Sequence, residues 1–134
     1  MRLTPEEARE RFAAARVARL ATADAGGRPH VVPIVFAVAG DEIFSAVDAK
    51  PKRTANLKRL ANVRSNPRVA LLADRYDDDW SELWWARADG RARVIGGDDR
   101  AIALLAERYE QYRESPPDGP ILAVAVERWS GWQA

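Results

Sequence analysis

Seven Lys/Arg side chains and no acid fall between Lys50 and Arg68, in the run K-P-K-R-T-A-N-L-K-R-L-A-N-V-R-S-N-P-R. The run directly follows a strand-like segment, Glu42-Ile43-Phe44-Ser45-Ala46-Val47. An apolar strand that empties into a cationic turn and helix start can hold a phosphate. Its backbone N–H groups point outward, its helix dipole favours an anion, and Lys and Arg donate charge-assisted hydrogen bonds. A charge run taken alone is more often a solvated helix face, so the rest of the chain has to decide. The next charged segment is acidic, Asp74-Arg75-Tyr76-Asp77-Asp78-Asp79, and the net charge is only +1. Opposite charges side by side argue against an extended nucleic-acid surface. Asp77, Asp78 and Asp79 could hold a divalent cation, but a solvated acidic loop with Asp as a helix N-cap is the commoner use of such residues.

Other chemistries are excluded by what the chain lacks. It has no cysteine and a single histidine, His30. Disulfides, thiol nucleophiles and zinc sites of the usual nitrogen and sulfur ligands are therefore set aside, and no metal site is expected. A Ser-His-Asp triad would have to use His30, and no serine is singled out as its partner. There is no nucleophile elbow, Walker loop or dinucleotide fingerprint; Gly26-Gly27 and Gly96-Gly97 both read as turns. Five tryptophans are many for 134 residues: Trp80, Trp84, Trp85, Trp129 and Trp132. In a strand, Trp84 and Trp85 must face opposite sides, so one packs in the core and the other meets an interface or a ligand. A C-terminal Trp129-Ser130-Gly131-Trp132 reads as a tail tied down against a second subunit or a bound ring.

The elements that must position these residues follow from periodicity. The composition, 47% hydrophobic and 31% charged, is that of one globular domain spanning residues 1–134. No apolar run is long enough to span a bilayer, and the N-terminus lacks the apolar core of a signal peptide, so a cytoplasmic location is expected. Thr4-Pro5-Glu6-Glu7 opens a helix with a capping box, and Ala8, Phe12 and Ala15 share its inner face as a short lid. Strands are expected at 17–22, 29–38 and 42–47, joined by Gly-containing turns into an antiparallel meander. Pro33 within the second implies an edge, a bulge or a site where a backbone N–H must be absent. Helical spacing predicts a helix over 52–64, with Leu57, Leu60 and Ala61 on one face, ended by Asn66-Pro67. Strands then follow at 69–73 and 83–95, with Gly90 at a bulge or bend, and a last one at 121–128. Between these two, a helix carries Ile102, Leu105, Tyr109 and Tyr112 at helical spacing. About six strands and three helices in this order favour a mainly β, α+β architecture: a small antiparallel barrel with peripheral helices.

The order of the H-V-V-P-I-V-F strand, D-E-I-F-S-A-V-D, K-P-K-R and N-V-R-S-N-P-R-V-A-L-L resembles the pyridoxamine 5′-phosphate oxidase-like superfamily of flavin- and deazaflavin-binding split β-barrels. The segment Asp74 to Ala92, D-R-Y-D-D-D-W-S-E-L-W-W-A-R-A-D-G-R-A, is similar to an actinobacterial branch of enzymes dependent on the deazaflavin coenzyme F420. The resemblance covers essentially the whole chain. It implies that His30, Val31, Val32, Pro33 and Ile34 lie along the cofactor ring. It also implies that Phe44, Ser45, Ala46 and Val47 end on the phosphate, gripped by Lys50, Lys52 and Arg53 with Lys58 and Arg59 on the following helix. A basic residue three positions before an Asn-Leu or Asn-Val pair is common in relatives; Arg53 fits Asn56-Leu57 and Arg59 fits Asn62-Val63, and both stay open.

The resemblance further implies a homodimer in which two subunits complete each site. Trp80, Trp84 or Trp85 and the Trp129–Trp132 tail are then candidates for closing the pocket. The implied activity is hydride transfer between reduced F420 and a small organic acceptor. An FMN-dependent oxidase or reductase is the alternative, and a non-catalytic carrier of a flavin, deazaflavin or haem-like ligand is a third reading. No catalytic residue is assigned; His30 and Tyr76 are the candidate proton donors. Neither nucleic acid nor membrane is an expected partner.

Overall fold

In the computed structural model, residues 1–47 and 54–134 are described, those at 54–57 by backbone alone. The chain begins with α1 (Pro5–Ala14), β1 (Ala18–Ala23), β2 (Pro29–Ile34), β3 (Ala37–Ala39) and β4 (Glu42–Ala46). It continues with α2 (Thr54–Ser65), β5 (Arg68–Arg75), a 3₁₀ turn (Trp80–Glu82) and β6 (Trp84–Ile95), then α3 (Asp99–Arg108), α4 (Glu110–Glu114) and β7 (Ile121–Gln133). All strand pairs are antiparallel, and the seven strands form one sheet in the order β2-β1-β5-β6-β7-β4-β3.

The expected three-strand meander is not what forms. The run expected as one strand over 29–38 bends at Val35-Phe36, pairing first with β1 and then with β4. Its two parts sit at opposite edges of the sheet order. Only Val35 and Phe36 separate them, so the two edges approach within about 11 Å. A sheet whose edges are joined so closely must curl, and the result is a split β-barrel of seven strands. The bend is held by two side chains from elsewhere: the Tyr109 hydroxyl accepts from Phe36 N at 3.1 Å, and the Ser45 hydroxyl donates to Val35 O at 2.9 Å.

Two helices close the barrel. The Thr4–Glu7 capping box forms as expected, Thr4 Oγ1 accepting from Glu7 N and Glu7 Oε1 from Thr4 N. Behind it Ala8 and Phe12 are fully buried, the Phe12 ring 4.8 Å from Phe36 and 5.5 Å from Trp129. Helix α1 lies at the start of β6, where Arg11 covers the Trp84 ring. Helix α2 lies toward the other end of β6, where Ala92 N donates to Pro67 O at 2.8 Å. Its Leu60 and Val63 enter the same core, and its buried Asn62 donates to the buried Thr22 hydroxyl at 3.0 Å. A smaller apolar layer lies outside the barrel, where Ala101 and Leu105 of α3 cover Ala37, Phe44, Ile121 and Ala123.

Two boundaries differ from expectation. The helix expected to run through Tyr112 breaks at Tyr109, which is extended (φ −123°, ψ 116°) and whose hydroxyl is committed to the Phe36 and Arg16 backbones. The last strand runs on to Gln133, because β6 continues to pair with it through Trp84↔Gln133. Trp129 is accordingly a core residue, 8% exposed, with Nε1 donating to Asp41 Oδ1 at 2.9 Å, where the sequence suggests a tail tied down against a second subunit or a bound ring. Gly90 does mark the bulge: the β6–β7 register shifts between Asp89 and Gly90, where a Cβ on residue 90 would stand 2.2 Å from Ala125 O.

Candidate functional site

The barrel is split where its closure is incomplete. Strand β3 pairs with β4 only from Glu42 to Phe44. Ser45 and Ala46 have a strand partner on the β7 side alone, Leu122 and Ile121. Strand β2 likewise pairs on one side only, with β1. An opening therefore lies between the free edge of β2 and the end of β4, at the α2 mouth of the barrel. Pro29 and Pro33 share one phase of β2, which suits an edge whose outward side carries few donors.

The residues expected along the ring divide by phase. His30, Val32 and Ile34 point inward; Pro29, Val31 and Pro33 are exposed. Ile34 belongs to the core and Val32 packs against it. His30 faces Thr22 across the β1–β2 pair, beside the Thr22–Asn62 hydrogen bond. Its Nδ1 is shielded from solvent without a hydrogen-bond partner among the described residues. On β4, Phe44 turns away from the barrel under α3, with the Arg100 guanidinium 5.9 Å from its ring centre. Ser45 points inward to its bond with Val35, and Val47 joins the core.

Ala46 and Val47 also form one wall of a cleft of about 210 Å³, whose other wall is Gln111, Tyr112, Ser115 and Asp118. Arg59 of α2 stands near this wall: burial pushes its guanidinium below the ordinary value, and the Tyr112 phenol acts in the opposite sense. A guanidinium stays charged under such burial. Lys58, the next residue back, is exposed and lies near Asp24 of the β1–β2 turn, whose carboxyl it helps to lower. Lys50, Lys52 and Arg53 lie outside the described residues. Sequence reading missed Gln111, Tyr112 and Ser115: the helical spacing of Tyr112 marks it as packing, and nothing local ties it to β4.

The aromatic candidates occupy another region. Tyr76 and Trp80 are 76% and 75% exposed on the β5–β6 connection. Asp79 shapes that connection, accepting from Ser81 N at 3.0 Å and Ser81 Oγ at 2.6 Å, which lowers its carboxyl. Trp84 and Trp85 face opposite sides as expected: Trp84 packs against the core and Trp85 lies outside, opposite Trp132. Ala46 pairs with Ile121 and Trp85 with Trp132, eleven residues apart on β7. At strand rise that is roughly 35 Å along the chain. Within one subunit Trp80 and Trp85 do not meet the β4 cleft. Among the described residues no cluster of three or more His, Cys, Asp or Glu could hold a metal, and no helix is long and apolar enough to cross a membrane.

Comparison with solved structures finds the same fold over nearly the whole chain. An FAD-binding protein from Mesorhizobium loti is 23% identical, with TM-score 0.76, covering 100% of this chain and 97% of that one. A conserved hypothetical protein from Mycobacterium tuberculosis is 21% identical, with TM-score 0.74 and coverage of 98% and 85%. HutZ, the haem storage protein of Vibrio cholerae, is 21% identical, with TM-score 0.72 and coverage of 99% and 95%. No curated protein matches the chain. The sequence itself, from residue 4 to residue 133, matches the pyridoxamine 5′-phosphate oxidase family, and the chain, with its split barrel and helix-closed mouths, belongs to that family.

Proposed function

We propose that this protein is a cytoplasmic, homodimeric oxidoreductase that holds the deazaflavin F420 in the split between β2 and β4 and moves a hydride to a small organic acceptor. The observation that carries the reading is the desolvated Arg59 near the cleft at the end of β4. A cofactor phosphate there would accept charge-assisted hydrogen bonds from a guanidinium the fold holds partly out of water. Lys50, Lys52 and Arg53 follow β4 directly in sequence and add the remaining cations. Family membership and the FAD-binding relative support a flavin-type ligand. The preference for F420 over FMN rests on the resemblance of the Asp74–Ala92 segment.

When bound, the cofactor supplies the hydride chemistry. The protein's part is binding, orientation and exclusion of water. Val32 and Ile34 anchor β2 in the core, and Pro33 leaves its free edge without a backbone donor at that position. His30 is the better placed proton carrier, since its Nδ1 is free at the split while Tyr76 lies at the other end of the barrel. Support for a homodimer comes from the outer sheet face, where Val31, Ala21 and Ala70 lie in register beside Leu72, and Val31 and Leu72 are 62% and 38% exposed. A second copy covering that face would bury apolar surface, and could bring its own Trp80 and Trp85 to the first copy's cleft.

The test is a parallel fluorescence titration of the purified protein with F420 and with FMN. Saturable binding of F420, weakened when Lys50 and Arg53 are replaced by Ala, is the expected result. Tighter FMN binding would move the assignment to an FMN oxidase or reductase, and binding of neither would overturn both. A non-catalytic carrier is the second reading, favoured by the haem-storage relative and the unpartnered His30 Nδ1. Turnover of reduced F420 with an acceptor would exclude it.

A further inference from the structure

The outer face of the β6–β7 ladder carries a groove of about 420 Å³ at the end remote from the β4 cleft. Its floor is a two-by-two block of cross-strand neighbours, Trp85↔Trp132 and Arg87↔Ser130, all in the outward phase of their strands. The N-terminal segment forms one rim: Arg2 bridges to Trp132, and Leu3 N donates to Gly131 O at 3.0 Å. Three guanidinium groups line the groove, those of Arg2, Arg87 and Arg128. Arg87 is bound to Asp89 at 2.9 Å and lies 5.7 Å from the Trp85 ring centre. Arg2 and Arg128 have no ion-pair partner among the described residues. The Ser130 hydroxyl is shielded at the bottom of this block and has no hydrogen-bond partner among the described residues.

We infer that this groove binds a small planar aromatic molecule bearing one anionic group, a carboxylate or a phosphate ester. The two indoles supply flat apolar surface for a ring, which gains by offset stacking or edge contact. Two guanidinium groups without carboxylate partners can meet the anion with paired N–H donors. The Ser130 hydroxyl, otherwise a buried polar group without a partner, gains an acceptor. The volume is in the range of small-molecule sites and fits one or two fused rings. A neutral aromatic would leave the arginines unanswered, and an aliphatic anion would leave the indoles bare. The site's lining comes from one chain, and Trp85 is the residue it shares with the proposed cofactor site.

The probe is 2-naphthoate, titrated calorimetrically into the full chain at low salt, with neutral 2-naphthamide and 1-naphthyl phosphate in parallel arms. We expect saturable binding of naphthoate, or of the phosphate ester if that is the preferred anion, and at least about tenfold weaker binding of the amide. Arg128→Gln and Trp132→Ala should each weaken it by about tenfold, while Arg91→Gln, at an ion-paired position farther along β6, leaves it unchanged. Arg128 is exposed, so its variant preserves the test if Trp132→Ala does not fold. Absence of saturable binding, equal affinity for the amide, or insensitivity to Arg128→Gln would overturn the inference. So would displacement of naphthoate by saturating FMN or F420, which would merge this groove with the cofactor site. Failure of cofactor binding with naphthoate binding intact would count against the proposed function alone.

Discussion

The Ser45 hydroxyl and the Val35 carbonyl are 2.9 Å apart, and their hydrogen bond spans the split in the barrel. Ser45 is 3% exposed, and Val35 is the first residue of the bend that moves the chain from the β1 side of the sheet to the β4 side. Ser45→Ala would remove the donor and leave a part-buried carbonyl without it, at a cost of about 1–3 kcal/mol. Chemical denaturation should show this loss equally with and without cofactor. A loss of cofactor affinity with unchanged stability would instead assign the hydroxyl to the phosphate.

That hydrogen bond also explains why the barrel's closure was not legible in the sequence. Residues 29–38 read as one apolar strand because every local preference in them is for extended backbone. The bend depends on Ser45 and Tyr109, ten and seventy-three residues away from their partners. Features whose cause is local could be read directly: the Thr4–Glu7 capping box, the edge position of Pro33, the bulge at Gly90 and the opposed faces of Trp84 and Trp85. The site was legible only as a set of segments. The β4 end and its following cations were identifiable, but the opposing Gln111–Tyr112 wall was not. The separation of Trp85 from that wall depends on β6–β7 register, which no periodicity reveals.

Gly90 sits where two backbones touch. A Cβ there would stand 2.2 Å from Ala125 O and 3.0 Å from the Val126 Cα, both main-chain atoms that cannot swing aside. Gly90→Ala should therefore destabilise the barrel by more than about 2 kcal/mol, as overpacking against a rigid neighbour does. Gly97→Ala, with nothing within 4 Å of the added Cβ, is the matched control and should change the denaturation midpoint little.

The β1–β2 turn has an acid limit of its own. Asp24 accepts from Arg28 N at 2.9 Å and from Gly26 N at 3.0 Å. The Arg28 N–H is the largest influence lowering its carboxyl below the ordinary 3.8, with burial opposing and Gly26 N–H and Lys58 assisting. A depressed folded-state value means that the turn gains stability above the unfolded pKa and loses it as pH falls through the folded one. NMR titration should place the Asp24 midpoint below 3.8, with the Gly26 and Arg28 amides shifting together. Lys58→Ala should raise that midpoint slightly. An Asp24 midpoint at the ordinary value would mean the turn does not form in solution.

Arg59 tests the phosphate assignment within the described structure. Because its guanidinium is already partly desolvated, an anion near it is screened less than one beside an exposed cation. Arg59→Gln should weaken FMN or F420 binding by about tenfold or more, and the salt dependence of binding should become shallower. Arg68→Gln, exposed at the start of β5, should leave affinity unchanged. Equal effects of the two substitutions would point to general electrostatic attraction and away from a specific grip.

The final prediction concerns the distance between the β4 cleft and Trp85. One chain cannot bring Ala46 and Trp85 together, because their pairing partners Ile121 and Trp132 lie at opposite ends of β7. If both belong to one cofactor site, the second residue comes from a partner copy. Val31 and Leu72, exposed on the outer sheet face, are then interface positions. Val31→Asp with Leu72→Asp would place two carboxylates in that contact, each costly to desolvate without a partner. Sedimentation should show a dimer for the unaltered protein and a monomer for the double variant. Cofactor affinity should be lost along with the dimer, while circular dichroism remains that of the folded barrel. A monomeric unaltered protein that still binds cofactor would place the whole site within one chain and leave Trp80 and Trp85 outside it.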